Sequence, residues 1–168
     1  DVIIAANLRG EPKPQTGTLL AATEVKGAAG PTGEPNSAVE LDGIRDRLTY
    51  GIGEFPEEDY GVAVWVQSTK LPEGRLGQVV SAWAASMDDP LRLCLEQGRL
   101  YARIESGQGY STEGRPLAAG QWYHVAAFKS GTRLQLYVDG ELRGSALVPQ
   151  TIRTAARDLA LGGNPHFS

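Results

Sequence analysis

Two neighbouring segments of the chain carry aromatic and arginine side chains at alternating positions. Arg92 lies within residues 91–95 and is flanked by leucines, whereas Tyr101 and Arg103 lie within residues 100–104. Successive side chains of a strand point to opposite faces, so these three share the face opposite the apolar residues. Aromatic rings stack on sugars and guanidinium groups donate hydrogen bonds to hydroxyls. With Trp83, they predict a glycan-binding patch; a solvated sheet face without a ligand is the alternative.

Two Asp-Gly pairs suggest a second kind of chemistry. Asp42 precedes Gly43 and Asp139 precedes Gly140. Calcium prefers carboxylate and carbonyl oxygens that loops supply, so Asp42 and Asp139 are candidate ligands for this ion. Asp-Gly is equally typical of ordinary turns, because aspartate caps the turn and glycine accepts a positive φ. Both interpretations remain open at this point.

The remaining reactive residue types predict no catalytic site. Cys94 is the single cysteine, so no intrachain disulfide forms, and its position between leucines is typical of a small buried residue. A catalytic histidine needs a partner within hydrogen-bond reach, and His124 and His166 have none that the sequence identifies. We therefore expect His124 to be structural, and the sequence has no cluster typical of zinc sites.

The elements that must position these residues are short strands. Residues 91–96 and 100–105 form a hairpin across Gln97-Gly98, and residues 122–128 and 133–138 form another across Ser130-Gly131. About ten such strands occur, no segment keeps a helical apolar period, and residues 151–157 could form one helical turn. The pattern predicts an all-β fold, a two-sheet antiparallel β-sandwich.

Length and charge set broad limits on the function. The 168 residues fit a single domain over 1–168, although residues 1–36 give the weakest pattern. The net charge of -4 lacks the basic footprint of nucleic-acid binders, so we expect no nucleic-acid partner. No stretch approaches the roughly 18 apolar residues of a membrane helix, so we expect no membrane span.

Five segments in order resemble a known family. They are residues 38–43, 62–66, 120–126, 136–140 and 159–163. From about Ser37 onward the chain resembles the laminin-G-like jelly-roll domains of bacterial type, within the concanavalin A-like lectin/glucanase superfamily. The resemblance implies a two-sheet jelly roll, and similar domains often hold calcium at the rim of the sheet.

One departure from the family pattern concerns the end of the sequence. Similar domains continue after a strand like residues 159–163 and make one further strand, whereas this sequence stops at Ser168. We expect that either residues 1–36 supply the missing strand or another chain or segment completes the sheet. In the second case one sheet keeps an unpaired edge.

The resemblance implies a non-catalytic recognition domain that binds carbohydrate and belongs to a larger extracytoplasmic bacterial protein or complex. Its expected partner is a glycan, or another protein chain that completes the sheet. One alternative is a structural or protein-interaction module, without a sugar site, of a multisubunit or multidomain enzyme. A second is a glycoside hydrolase, since some glucanases of the superfamily use Glu-x-Asp-x-x-Glu on a strand; Glu40 and Asp42 match, but Arg45 occupies the last position.

Overall fold

The computed structural model describes residues 1–166 and contains only β-strands as regular elements. The predicted all-β class with antiparallel pairing is therefore confirmed. The strands are β1 Thr18–Ala22, β2 Lys26–Ala28, β3 Ala38–Glu40, β4 Leu48–Gly51, β5 Tyr60–Gln67, β6 Gly77–Ser81, β7 Asp88–Glu96, β8 Arg99–Ser106, β9 Gly109–Ser111, β10 Arg115–Pro116, β11 Trp122–Ser130, β12 Arg133–Val138, β13 Glu141–Leu147 and β14 Asp158–Leu161.

Two sheets form the sandwich. The larger has eight strands in the order β1-β4-β14-β6-β7-β8-β10, with β9 also on β8; the smaller has four, in the order β13-β12-β11-β5. Strands β2 and β3 form a separate two-stranded sheet. Because β14 lies between β4 and β6, the C-terminal part of the described chain joins the N-terminal strands to the central hairpin.

Alternation along the strands builds the core between the two large sheets. The leucines of β7 and residues 100, 102 and 104 of β8 face inward, as predicted, and are almost fully buried. They meet Val125 and Ala127 of β11 and Leu134 and Leu136 of β12. In the β7–β8 hairpin, Gln97 and Gly98 have φ angles of 50° and 73°, which the two-residue turn requires.

The helical turn predicted for residues 151–157 is wrong. Ile152 and Ala156 are buried at a spacing that a helix would also give, but neither backbone amide donates to the carbonyl four residues earlier. The N–H of Ile152 donates to the Glu57 carbonyl, and that of Ala156 donates to Thr154 Oγ1. These partners hold the segment as an irregular loop across one end of the sandwich.

Lys129 lies at that same end and points inward from β11, with only 1% of its surface exposed. Its ammonium group donates hydrogen bonds to the carbonyls of Glu58, Gly131 and Gln150. These carbonyls belong to three connections, β4–β5, β11–β12 and β13–β14. Desolvation lowers the pKa of Lys129, while Asp59 and Glu58 nearby favour its charged form.

The N-terminal residues do not add a strand to the smaller sheet. Strand β1 pairs with β4 at the edge of the larger sheet, and β2 pairs with β3. Strand β5 pairs with β11 alone among residues 1–166, so one edge of β5 is open. Residues 1–36 thus supply one strand, β1, to the edge of the larger sheet, and the alternative that another chain or segment completes a sheet stays a prediction.

Candidate binding site

The predicted patch lies on the outer face of the larger sheet. Arg92 of β7 is directly opposite Arg103 of β8, and Tyr101 is opposite Cys94. The guanidinium carbon of Arg103 lies 4.8 Å from the centre of the Tyr101 ring. Trp83 follows the end of β6, and its backbone N–H donates to the Oγ of Ser81. Ser81 is the residue of β6 that lies opposite Arg92. The structure thus brings Arg92, Tyr101 and Arg103 together on one face, with the backbone of Trp83 just beyond the end of the neighbouring strand β6, and the binding role of all four stays a prediction.

Arg92 is held by carboxylates. Its Nε donates to Asp89 Oδ2 at 2.9 Å, its Nη1 lies 3.4 Å from Glu105 Oε1, and only 8% of its surface is exposed. Asp89 is fully buried and also accepts a hydrogen bond from Ser81 Oγ at 3.0 Å. Ser81 Oγ lies 2.8 Å from Asn164 Oδ1, so the chain after β14 contacts this network. Because its side chain is fixed by these carboxylates and largely buried, Arg92 presents little surface to a ligand.

Burial raises the pKa of Asp89 to about 6, although Arg92 and Ser81 act in the opposite direction. Between pH 4 and 6 the unfolded state loses this proton before the folded state does. The contribution of Asp89 to stability is therefore greatest below pH 4, and it falls by about 2–3 kcal/mol as the pH rises through 6.

This pH dependence is measurable by urea unfolding of the wild type and of Asp89→Asn between pH 4 and 8. We expect the difference in unfolding free energy between the two proteins to change across pH 4–6 and to be flat above pH 7, because asparagine does not titrate. A difference that is constant over the whole range would contradict the assignment.

Arg103 and Tyr101 are also engaged by neighbours. Arg103 Nη2 donates to Glu96, and its Nε donates to Ser111 Oγ at 3.3 Å. The Tyr101 ring packs against the backbone of Gly114, where an added Cβ would lie 2.4 Å from the ring carbon Cζ. The ring is consequently half-buried, and a bulkier residue at Gly114 would displace it.

The two candidate calcium ligands act as turn residues. Asp42 Oδ1 accepts the N–H groups of Ile44, Arg45 and Asp46, and these bonds lower its pKa. Asp139 has a φ of 52° and its Oδ1 accepts the N–H of His124 at 2.9 Å. Within residues 1–166 no group of three or more His, Cys, Asp or Glu side chains could hold a metal ion. Calcium at Asp42 or Asp139 stays a prediction.

The residues considered for catalysis lie apart. Glu40 is exposed on the two-stranded sheet, opposite Lys26. Cys94 is fully buried, and burial raises the pKa of its thiol to about 11, which keeps it protonated and unreactive. The ring of His124 packs edge-on against Trp65 at 5.2 Å between centroids. His166 Nε2 pairs with Asp158 Oδ1 at 2.8 Å.

A second surface, which the sequence interpretation did not single out, is the outer face of the smaller sheet. We call it the aromatic face and define it by Trp65, His124, Phe128 and Tyr137. Trp65 is 52% exposed and lies opposite His124; Phe128 is 45% exposed. The Phe128 and Tyr137 rings meet edge-on at 5.9 Å. Phe128 crosses Gly61, where an added Cβ would lie 2.3 Å from the ring.

Alternation could have identified this face. The valines at 62, 64 and 66 pack on the core, which places Trp65 on the outer side of β5. Tyr123, Val125 and Ala127 are buried in the same way, so His124 and Phe128 point outward from β11. The sequence shows that outward-facing residues of β5 and β11 are aromatic, but only the pairing of these two strands shows that the aromatic residues lie side by side.

No helix among residues 1–166 is long and apolar enough to cross a membrane. No curated protein matches the chain in sequence. Domain 4 of an extracellular GH43 arabinanase from Geobacillus stearothermophilus, solved with arabinotriose, is 22% identical, with a TM-score of 0.61; the match covers 96% of this chain and 72% of that one.

Two further solved structures are similar over a smaller share of their own length. The botulinum neurotoxin serotype D binding domain is 12% identical with a TM-score of 0.70, and the match covers 88% of this chain and 38% of that one. Mouse laminin alpha1 domains LG4-5 are 22% identical with a TM-score of 0.54, and the match covers 66% of this chain and 30% of that one. This chain thus spans less than two fifths of either.

A family model described as the concanavalin A-like lectin/glucanases superfamily matches residues 42–168, three quarters of the chain. The match includes the β7–β8 and β11–β12 hairpins and strand β14. This extent agrees with the sheet order and with the jelly-roll folds of the similar structures. The chain belongs to the laminin-G-like family of the concanavalin A-like lectin/glucanase superfamily.

Proposed function

We propose that this chain is a non-catalytic carbohydrate-recognition domain that works outside the cytoplasm as part of a larger protein. The observation that carries the proposal is the aromatic face, where Trp65 and Phe128 are half exposed on a regular sheet. The arabinanase domain solved with arabinotriose and the neurotoxin binding domains, which share the fold, support a recognition role.

The chemistry of the aromatic face fits a saccharide. Trp65 and Phe128 present ring surface to solvent, and Gln135, opposite Phe128 on β12, can both donate and accept hydrogen bonds. His124 lies opposite Trp65, four residues from Phe128 along β11, which corresponds to about 13 Å. That length suits an oligosaccharide that contacts several side chains in a row.

The patch of Trp83, Arg92, Tyr101 and Arg103 is the second candidate surface for the same function. Its charged groups are paired with Asp89, Glu105 and Glu96, and its tyrosine ring is half-buried. A sugar would have to compete with these ion pairs. The aromatic face requires no such exchange, and we therefore favour it.

Titration with soluble oligosaccharides, arabinotriose among them, tests the proposal by calorimetry. We expect Trp65→Ala to weaken binding at least about tenfold, because truncation of a central aromatic contact commonly costs more than 1–2 kcal/mol. Tyr101→Ala and Arg103→Ala should leave the dissociation constant within about twofold.

Leu20→Ala is the matched control, since Leu20 is 55% exposed on β1 of the other sheet. Loss of binding in Arg103→Ala or Trp83→Ala, with Trp65→Ala unaffected, would move the site to the larger sheet. Absence of binding to every saccharide offered would overturn the proposal.

A further inference from the structure

The ring of Phe128 lies across the neighbouring strand β5. Phe128 is directly opposite Gly61, and a Cβ added at Gly61 would overlap the ring carbons Cδ1 and Cε1. The ring therefore occupies the space that any larger side chain at position 61 would fill. The Tyr137 ring contacts it edge-on from β12, while 45% of Phe128 stays exposed. One side of the Phe128 ring thus rests on backbone, and the other side is open to a ligand.

Trp65 and Phe128 mark the two ends of a row along β5 and β11. Gly61, beneath the Phe128 ring, and Trp65 are four residues apart on β5, which corresponds to about 13 Å. Between them Ala63 is exposed and lies opposite Ala126, so no large side chain of these two strands interrupts the row. Strand β11 has a partner on each side, so the row follows an inner strand of the sheet. One sugar ring covers less than half of this length, and contact with both ends of the row requires about three or more sugar residues.

The row itself carries no charged side chain. None of the outward residues within 61–67 of β5 and 122–128 of β11 is Asp, Glu, Lys or Arg. Asp59 and Arg133, which have opposite charges, lie near one end of the row, and Asp139 lies near the other. An acidic sugar would find no cation along the row and would face this last carboxylate. The charge distribution therefore favours uncharged sugars.

The row is an exposed surface and not a pocket. Ala63, Trp65 and Phe128 are all exposed on it. Two cavities within residues 1–166, of about 950 and 340 Å³, are lined by the inward valines of β5, and neither is lined by His124, Phe128 or Tyr137. Recognition of a chain terminus needs a concave site that encloses the last sugar. A ligand on this face instead continues past both aromatic contacts.

We propose that the aromatic face binds an internal stretch of an uncharged glycan chain, with one sugar stacked on Phe128 and another on Trp65. The glycan runs along β11 and extends beyond both contacts, so its ends are not recognised. Gly61 is a positioning residue, because only glycine leaves the space in which the Phe128 ring lies. This binding mode rests on the proposed carbohydrate function and adds to it the class of ligand.

The probes are two ladders of uncharged oligosaccharides, one of arabinose and one of glucose, from one to six residues long. Calorimetry with the wild-type protein gives the dissociation constant at each length. For the ladder that binds, we expect the constant to fall at least about tenfold between two and four residues and to change less than about threefold beyond five. Borohydride reduction of the terminal sugar should alter the constant of the hexasaccharide less than about twofold, because the end makes no contact. Galacturonate oligomers of equal length should bind at least about tenfold more weakly.

Variants of the wild-type chain test the role of Gly61. We expect Gly61→Ala to weaken hexasaccharide binding about as much as Phe128→Ala, at least about fivefold. The double variant should bind no more weakly than Phe128→Ala alone, because both changes remove the same contact. Gly109→Ala is the matched control, since an added Cβ at Gly109 meets nothing within 4 Å.

A Cβ at Gly61 also approaches the Ala127 carbonyl, so circular dichroism is recorded for every variant. A double variant that binds more weakly than Phe128→Ala would show that strain in the sheet causes the loss, and this would overturn the positioning role. Unchanged binding in Gly61→Ala would overturn it as well.

Three results would overturn the binding mode while a carbohydrate function still stands. One is a mono- or disaccharide that binds as tightly as the hexasaccharide. Another is loss of binding on borohydride reduction, which would mean that the protein recognises a chain end. The third is tighter binding of the galacturonates than of the uncharged ladders. Absence of binding by all of these saccharides would overturn the proposed function together with the binding mode.

Discussion

Lys129→Met is expected to destabilise the fold by about 3–5 kcal/mol, because buried acceptors that lose their donor keep the full desolvation cost. The ammonium of Lys129 serves three carbonyls, those of Glu58, Gly131 and Gln150. Methionine fills similar space but donates no hydrogen bond. The melting temperature should fall by about 10 °C in a domain of this size.

Lys70→Met is the control for the lysine substitution, since Lys70 is exposed. Chemical unfolding of wild type and both variants gives the comparison. The control should stay within about 0.5 kcal/mol of wild type. A loss below about 1 kcal/mol in Lys129→Met would mean that water replaces the ammonium and that the three connections do not depend on it.

Arg92→Met is expected to be the second large effect, and its size should depend on pH. Removal of one partner of a buried ion pair leaves an uncompensated charge and costs about 3–5 kcal/mol. Here the charge left behind is Asp89, which is fully buried. Burial already raises the pKa of Asp89 to about 6 with Arg92 present. At pH 5 the carboxyl can therefore take up a proton, and the destabilisation should be smaller than at pH 8.

A double-mutant cycle with Asp89→Asn isolates the charge of the pair, because asparagine is uncharged and keeps an oxygen that can accept the backbone N–H groups of Ala82 and Leu91. If the charge left on Asp89 causes the loss, the double variant should recover much of the stability that Arg92→Met loses at pH 8. Equal losses at pH 5 and pH 8, with no recovery in the double variant, would show that the packing of the Arg92 side chain matters instead.

Alternation was sufficient to predict the central hairpins. The leucines at 91, 93 and 95 and residues 100, 102 and 104 alternate regularly, and a Gln-Gly turn leaves no freedom of register. The predicted patch followed from the same period, and the structure places Arg92 directly opposite Arg103. Local pattern therefore determined both the strands and the face on which the patch lies.

What escaped prediction depends on contacts distant in sequence. The inward-facing Lys129 breaks the polar–apolar alternation of β11. The residues next to it in sequence do not indicate that the carbonyls of residues 58 and 150 accept its hydrogen bonds. The outward-facing Trp65 of β5 forms part of an aromatic surface only because β5 pairs with β11, which lies more than fifty residues later in the sequence. Residues 151–157 have a helix-like apolar spacing, but their amides bond to other parts of the chain.

The place of β14 has a consequence for the order in which the protein is made. Strands β1 and β4 leave the ribosome early, and β6, β7 and β8 follow, yet among residues 1–166 these two groups are joined in the larger sheet only through β14. Because β14 is the last of the fourteen strands to be synthesised, the growing chain holds two unjoined half-sheets until residue 161 emerges. Such late closure through distant pairing slows folding and leaves edges that nascent-chain chaperones would have to shield.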